Sequence, residues 1–405
     1  MNTNALIPFL GRIPPVPGGL SSDYPNCLQM LCGEYSGFMN PLARNRLDKE
    51  LQVIHQLGLE SFFLAMVDIY HFAKSRGHVI LLEGPAASSF VLHCLGLTPI
   101  NPIEHGLLFE RFLNPGQAFA PSRRFLISKG GQEEVVRFAR NTFGLSGDDP
   151  MGERPWRACS QRWHSPLAGT SDLATIDIVE HLGLGLIKQA VDLIKKNMGK
   201  ETVPDLLPTD DQEVLAVFCR GETFSIQPFE SVMARSLLSM VKPVTIGDLA
   251  KVWSLSQPAQ VQNGVSLAFK ESMLSEDQVR EWHPVVKNIL GYTHGILLFQ
   301  EQAMELAFFV GGLPFTEGYK LLNAVWRFDQ TKVSAFQEKF FAEAEDKHMD
   351  MAMVKETFEL ITHQGRYATC KANAMTSAAI AYQIAYLKSK HEQVFMSVVR
   401  NTEYF

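Results

Sequence analysis

Few residues of this chain have the type and spacing to do chemistry. Asp177, in Thr175-Ile176-Asp177-Ile178, could ligate a metal ion; it could equally be a half-buried strand carboxylate held by backbone donors. Arg123-Arg124 is a pair of adjacent cations suited to a nucleic-acid phosphate or an acidic partner, with a relaxed surface loop as the plain alternative. Arg327 and Lys371 could touch a phosphate, although helix cations are usually just solvated. Cys159 and His164 could share a metal, but one Cys-x4-His is a weak signal, and the 12 histidines show no HExxH or zinc-finger spacing. The 6 cysteines are scattered without a CxxC pair, which fits free thiols in a reducing compartment.

Helices and strands must position these groups. Arg44 to Gly58 has helical apolar spacing through Leu47, Leu51, Ile54 and Leu57, and Gly58 suits its end. Glu60 to Arg76 continues as an apolar helix closed by Gly77. Val79 to Leu82 reads as a buried strand, and the small-residue stretch from Gly84 to Ser89 opens a helix through Leu95. Gln132 to Phe143 is amphipathic. Ala174 to Val179 reads as a strand, and Leu182 to Met198 as a helix with Lys195-Lys196 in its last turn, favourable for the dipole. The Gly-, Pro- and Ser-rich residues 145–170 read as a linker, and residues 1–20 as an extended arm. Beyond about 205 nearly everything reads as helix, with segments at 210–219, 230–240, 246–255, 276–290, 298–310, 316–327, 330–346, 349–363 and 371–400. Thr209-x-x-Gln212 and Ser275-x-x-Gln278 have the form of capping boxes.

At 405 residues the chain can form two or three domains. Its 46% hydrophobic and 20% charged composition is that of a soluble globular protein. No apolar run reaches a membrane span; Ser61 to Ala73 is interrupted by Asp68 and His71. The N-terminus lacks the regions of a signal peptide, so a cytoplasmic setting and no membrane partner are expected. A net charge of −6 argues against a globally basic nucleic-acid surface but leaves room for a local basic patch.

Several longer motifs, in order from Arg46 to Met396, carry a resemblance. They are Arg46-Leu47-Asp48-Lys49-Glu50-Leu51, Leu107-Leu108-Phe109-Glu110-Arg111-Phe112-Leu113-Asn114-Pro115, Arg220-Gly221-Glu222-Thr223, Phe299-Gln300-Glu301-Gln302-Ala303-Met304 and Tyr382-Gln383-Ile384-Ala385-Tyr386-Leu387-Lys388. Together they resemble the palm and fingers of the bacterial DNA polymerase III alpha subunit, a C-family polymerase. The resemblance implies that the chain begins after the family's phosphoesterase-like domain and stops before its clamp-binding region. It also implies that residues 145–170 replace the thumb.

The same resemblance implies a degenerate active site. The family's acidic pair becomes Ser122 and Arg124, and the third acid of that run becomes Leu126. Asp177 is the one metal carboxylate kept, with Thr175 in place of the family's Lys. Two-metal transfer needs oxygens that hold two Mg²⁺ roughly 3.5–4 Å apart, which one Asp beside an Arg does not supply. The Gly-Arg-Gly-Ser phosphate cradle becomes Leu82-Glu83-Gly84-Pro85, with Gly84 kept, one N–H removed by Pro85 and a carboxylate added by Glu83. In the fingers, paired arginines become Leu322 and Asn323, and Arg-Pro-Gly-Pro becomes Gln257-Pro258-Ala259-Gln260; Arg327 and Lys371 remain of the basic set. Losing one charge-stabilising group in such a site typically costs about 2.7–4 kcal/mol, and four contributors change in the same direction here.

The fold expected is α+β: a reduced nucleotidyltransferase-like palm sheet with flanking helices, then a mostly α-helical fingers domain. Expected boundaries are 1–43 for an arm, 44–144 and 171–200 for the two palm parts, 145–170 for the linker and 201–405 for the fingers-like domain. The expected function is a non-catalytic homologue, a pseudoenzyme of the DNA-directed DNA polymerase class, acting as a DNA-binding or scaffold protein in replication or repair. Its candidate partners are DNA and replication or repair proteins, and no cofactor is expected unless catalysis survives, when Mg²⁺ is required. One alternative is a working polymerase that combines Asp177 with Glu83, Asp172 or Glu180; another is a protein-interaction module without DNA contact.

Overall fold

In a computed structural model the described residues are Leu28, Cys32, 40–115, 122–143, 157–164, 171–199, 202, 204, 207–274 and 283–401; for 122, 157–164 and 171–174 this is the backbone alone. The expected N-terminal arm therefore lies almost wholly outside the described residues, as does Ser275. The chain divides into two compact units, one of Met1–Val214, Ser225–Gln227 and Ala379–Phe405, the other of Leu215–Phe224 and Pro228–Ala378.

The first unit carries helices α1 (Pro41–Gln56), α2 (Glu60–Ser75), α3 (Phe90–Cys94), α4 (Gln132–Phe143) and α5 (Leu182–Met198) around one sheet. Asn40 caps α1 by accepting from the Ala43 N–H at 2.8 Å, and Pro41 occupies the first helical position, where no N–H is needed. Gly58 and Gly77 follow the two helices at φ +63° and +79°, a conformation in which glycine avoids a Cβ clash. Lys195 and Lys196 do sit in the last turn of α5.

The sheet is ordered β1-β2-β4-β3, with β1 Ile80–Glu83, β2 Ser122–Ile127, β3 Arg157–His164 and β4 Ser171–Glu180. Strand β2 pairs antiparallel with β1 and parallel with β4, and β3 runs antiparallel along β4. One face is apolar: Ile80, Leu82, Phe125, Ile127, Ile176 and Ile178 join Phe62, Phe63, Met66 and Val67 of α2 in a single core. Burying each such side chain contributes about 1.5–3 kcal/mol. Two sequence expectations change. Arg123-Arg124 is not a surface loop but lies inside β2, and the segment 145–170, read as a linker, contains β3.

Beyond the sheet the helices are α6 (Gln212–Cys219), α7 (Val232–Val241), α8 (Ile246–Leu255), α9 (Pro258–Gln262), α10 (Val265–Leu274), α11 (Pro284–Leu290), α12 (Gln300–Phe309), α13 (Phe315–Trp326), α14 (Gln330–Asp346), α15 (Met351–His363), α16 (Lys371–Lys390) and α17 (Glu392–Asn401). A mostly helical region thus follows the sheet, and the α+β class holds. The expected helix 276–290 begins only at Pro284, and the expected helix 371–400 breaks at His391. The cap of α6 comes from Asp211, whose carboxylate accepts from the N–H groups of Glu213 and Val214, rather than from Thr209. Thr245 and Asp248 form a complete capping box on α8. A second core joins α11 to α15 through Leu306, Leu321, Leu322, Phe340 and Phe358.

Among the described residues no single helix is long and apolar enough to cross a membrane. The bent pair α1 and α2 passes by length and composition, yet ten residues of α2 are buried.

Candidate functional site

The strand register assembles the candidate residues of the first unit. Arg124 is the Cα partner of Glu83 on β1 and of Asp177 on β4, and Asp177 is in turn the partner of Arg157 on β3. One row across the sheet therefore reads acid, base, acid, base. Side chains alternate across a strand, so Arg124 and Asp177 share the face opposite the apolar core. Ser122 is in register with Thr175 two residues along the same strands. Ser122, Arg124 and Leu126, which the resemblance sets against the family's acids, thus fall on one face together with Asp177 and Glu83.

One ion pair forms within the row. Arg124 Nη1 donates to Glu83 Oε2 at 3.3 Å, with the arginine side chain 53% exposed. Asp177 is buried at 5% exposure. An exposed ion pair of this kind contributes about 0–1 kcal/mol to stability. A guanidinium paired to Glu83 and in register with Asp177 opposes the approach of a divalent cation to that pair.

Arg123 does not act with its neighbour. It points to the core face, is 6% exposed, and lies with its guanidinium 3.8 Å from the centroid of Phe112. The two adjacent cations therefore do not form one basic patch; strand periodicity sends them to opposite faces.

Mg²⁺, which the resemblance implies, does not fit this donor set. Among the described residues no three His, Cys, Asp or Glu side chains group as metal ligands. The substitute acids are also misplaced. Glu180 lies three residues beyond Asp177, about 10 Å along the strand and of opposite parity, and its carboxylate already accepts from the Gly130 N–H at 2.6 Å. Asp172 is likewise of opposite parity to Asp177. Cys159 and His164 both belong to β3, and their side chains lie outside the described residues.

The phosphate-cradle position forms a tight turn. Gly84 has φ +80° and starts a 3₁₀ turn, Gly84–Ser88, with Pro85 in its first positions. The N–H groups of Phe90 and Val91, further along, are taken by an internal carboxyl group. Glu50 of α1, completely buried, accepts from Phe90 N at 3.0 Å, Val91 N at 3.1 Å and Ser89 Oγ at 2.8 Å. Arg46 donates to Glu50 Oε1 at 2.6 Å and to the carbonyl oxygens of Ser88 and Leu107. Burial pushes the Glu50 carboxyl above its ordinary range, opposed by Arg46 and the two backbone donors. In the sequence Arg46 and Glu50 stand within a longer motif, and their i, i+4 spacing on one helix is the signal that pairs them.

The second unit holds Arg327 and Lys371. Arg327 caps the C-terminal end of α13 and is exposed. Lys371 is half-buried at the start of α16. Its backbone N–H donates to both oxygens of the buried Glu301, at 3.1 and 2.9 Å. Its ammonium lies 5.0 Å from the ring centroid of Tyr292 and 5.9 Å from that of Phe299. Burial pulls the Lys371 pKa down, opposed by Glu301 and Glu305.

The fingers motif around these residues braces the fold. Gln302, 1% exposed, accepts from the N–H groups of Leu298 and Phe299 and donates to Ile289 O and Thr293 Oγ1. Gln300 donates through Nε2 to Ala368 O at 2.9 Å. Phe299, Met304 and Leu306 are buried. Gln257 and Pro258 open α9, and Gln260 donates to Tyr367 O at 2.6 Å. Leu322 is buried in the second core.

Two family models match this chain: the bacterial DNA polymerase III alpha NTPase domain over residues 26–147 and the bacterial DNA polymerase III alpha subunit finger domain over residues 183–348. Among curated relatives, the DNA polymerase III subunit alpha of Staphylococcus epidermidis strain RP62A is 24% identical over 450 aligned residues, covering 87% of this chain and 42% of the relative. The same subunit of Staphylococcus aureus strain COL is 24% identical over 447, covering 86% and 42%. The chain thus spans less than half the length of these relatives. Two models of one subunit covering more than half of the chain, with collinear similarity along most of it, show that this chain belongs to the family of the bacterial DNA polymerase III alpha subunit.

Proposed function

We propose that this chain is a non-catalytic member of its family, a cytoplasmic DNA-binding or scaffold protein in DNA replication or repair. The observation that carries this reading is the position of Arg124 between Glu83 and Asp177 on one sheet face. Phosphoryl transfer depends on metal positioning and charge stabilisation, and this face offers a cation where both would be needed. The occupation of the Phe90 and Val91 N–H groups by Glu50 supports the same conclusion, since backbone donors beside the cradle position are already used.

A working polymerase that relies on Asp177 with Asp172 or Glu180 is disfavoured by strand parity, and one that relies on Glu83 by the intervening guanidinium. Primer extension with Mg²⁺ and with Mn²⁺ tests the reading. The expected result is no dNTP incorporation above a mock preparation; incorporation that Asp177→Asn abolishes would overturn it. Fluorescence anisotropy with a primer-template at low salt then separates DNA binding from a protein-interaction role. Salt-sensitive binding supports the first, and no binding assigns the chain to the second.

A further inference from the structure

The second unit exposes an aromatic corner that the reading above does not use. Helix α12 turns Ala303, Leu306, Ala307 and Val310 into the second core, at the i, i+3, i+4 and i+7 spacing of one helix face. Phe308 and Phe309 fall off that face and remain 38% and 52% exposed. Phe308 stacks on Phe315, the first residue of α13, with ring centroids 4.6 Å apart and planes 9° apart. Phe309 stands edge-on to Phe308 at 4.9 Å. The connection that carries the rings is pinned. Gly312 turns at φ +67°, and a Cβ on Gly311 would meet the buried Phe340 ring of α14. Aromatic side chains grouped in solvent on a fixed backbone mark a contact surface.

The charges around the corner select its occupant. Glu317 of α13 is paired with Lys339 of α14 at 2.6 Å. Glu343 and Lys347, four residues apart on α14, both flank Gly312. Glu305, one turn back along α12, has Lys371 as its opposing charge. Each acid of this rim therefore has a base beside it. A nucleic acid or an anionic membrane needs a basic rim, and a strongly charged peptide needs a rim of one sign. A rim of both signs is complementary to itself, as a two-fold contact between identical surfaces requires. At a net charge of −6, two copies of the chain meet with least repulsion where the local sign is balanced.

We propose that this corner is a self-association surface: two copies of the chain meet through Phe308 and Phe309 about a two-fold axis, with the paired charges of α13 and α14 at the rim. Three rings cover less than the roughly 800 Å² per partner of a standard interface, so the dimer is reversible, with a dissociation constant on the order of 10–100 µM. The contact needs neither DNA nor catalysis; it goes beyond the function proposed above and does not rest on it.

The test is sedimentation velocity of the full chain between about 2 and 200 µM, a range that brackets such an affinity. The wild type is expected to pass from monomer to dimer across it. Phe309→Asp sets a charge where the side chain already meets solvent, and is expected to weaken the dimer at least about tenfold with an unchanged melting temperature. If that variant fails to fold, Phe309→Ser reads the same contact. Lys339→Glu combined with Lys347→Glu makes the rim acidic, and is expected to weaken the dimer at low salt and to recover it in about 0.5 M salt. A wild type that stays monomeric throughout assigns the rings to a different protein and overturns the proposal. A dimer that the Phe309 variants leave intact, or one that the acidic rim does not weaken, overturns it as well. DNA anisotropy and primer extension are separate measurements, so failure of the one reading leaves the other intact.

Discussion

Arg124 and Asp177 stand at the same register position on neighbouring parallel strands, while the Arg124 guanidinium is paired to Glu83 of the strand on its other side. The first prediction follows from replacing that cation. Arg124→Asp puts three carboxylate-bearing residues in one row and is expected to bind Mn²⁺ with an affinity on the order of millimolar, against none for the wild type. Electron paramagnetic resonance of free Mn²⁺ measures this. An unchanged free-ion signal with the folded variant would show that the row does not set the metal affinity.

Glu50 and Arg46 are expected to matter for stability. Glu50→Ala leaves Arg46 facing a void and deprives the N–H groups of Phe90 and Val91 of their acceptor. Breaking a buried pair typically costs about 3–5 kcal/mol. Urea unfolding monitored by circular dichroism checks it; a loss under about 1 kcal/mol would mean water replaces the carboxylate freely.

Gln302 offers a second stability test that bears on function. Gln302→Ala removes four hydrogen bonds and strands the donors and acceptors of a buried loop. The expected cost is about 2–4 kcal/mol, at about 1 kcal/mol for each net bond. DNA affinity per folded molecule should be unchanged, because the side chain faces inward. A folded variant with normal stability and weakened DNA binding would assign the glutamine to the interface instead.

The pH dependence of stability has a definite sign at Glu305. Its folded pKa of about 7 lies above the ordinary 4.5, so the native state holds the proton more tightly than the unfolded chain. The contribution is complete below about 4.5 and is lost as pH rises through about 7. Glu305→Gln cannot lose it, and is expected to gain roughly 1 kcal/mol over the wild type between pH 5 and 8 after solvent screening. Melting curves of both proteins across this range measure the difference, and parallel curves would contradict it.

Much of the helical framework was legible from apolar spacing, because Leu47, Ile54 and Leu57 repeat at helical intervals and Gly58 ends the pattern. Strand β2 was not, since Ser122-Arg123-Arg124 hides the alternation: Arg123 stands on the core face, paired with the Phe112 ring rather than with solvent. Strand β3 lies at the sheet's edge and is rich in polar residues, so neither an apolar run nor an alternating one marked it. The break at His391 carries no Gly or Pro. Among candidate site residues, motif position identified Arg124 and Asp177, but only cross-strand register joins them to Glu83. Nothing local marks Glu305, because its raised pKa comes first from burial by the tertiary packing, with Lys371, far along the chain, opposing the shift.

The placement of Arg124 also sets two demands on this face against each other. Each flanking position carries an acid, so a change of sign at Arg124 alone sets three negative side chains side by side in the sheet before any metal arrives to reconcile them. The substitution that would add a ligand also removes the counter-charge of Glu83, so metal affinity and sheet stability trade against one another at this one residue.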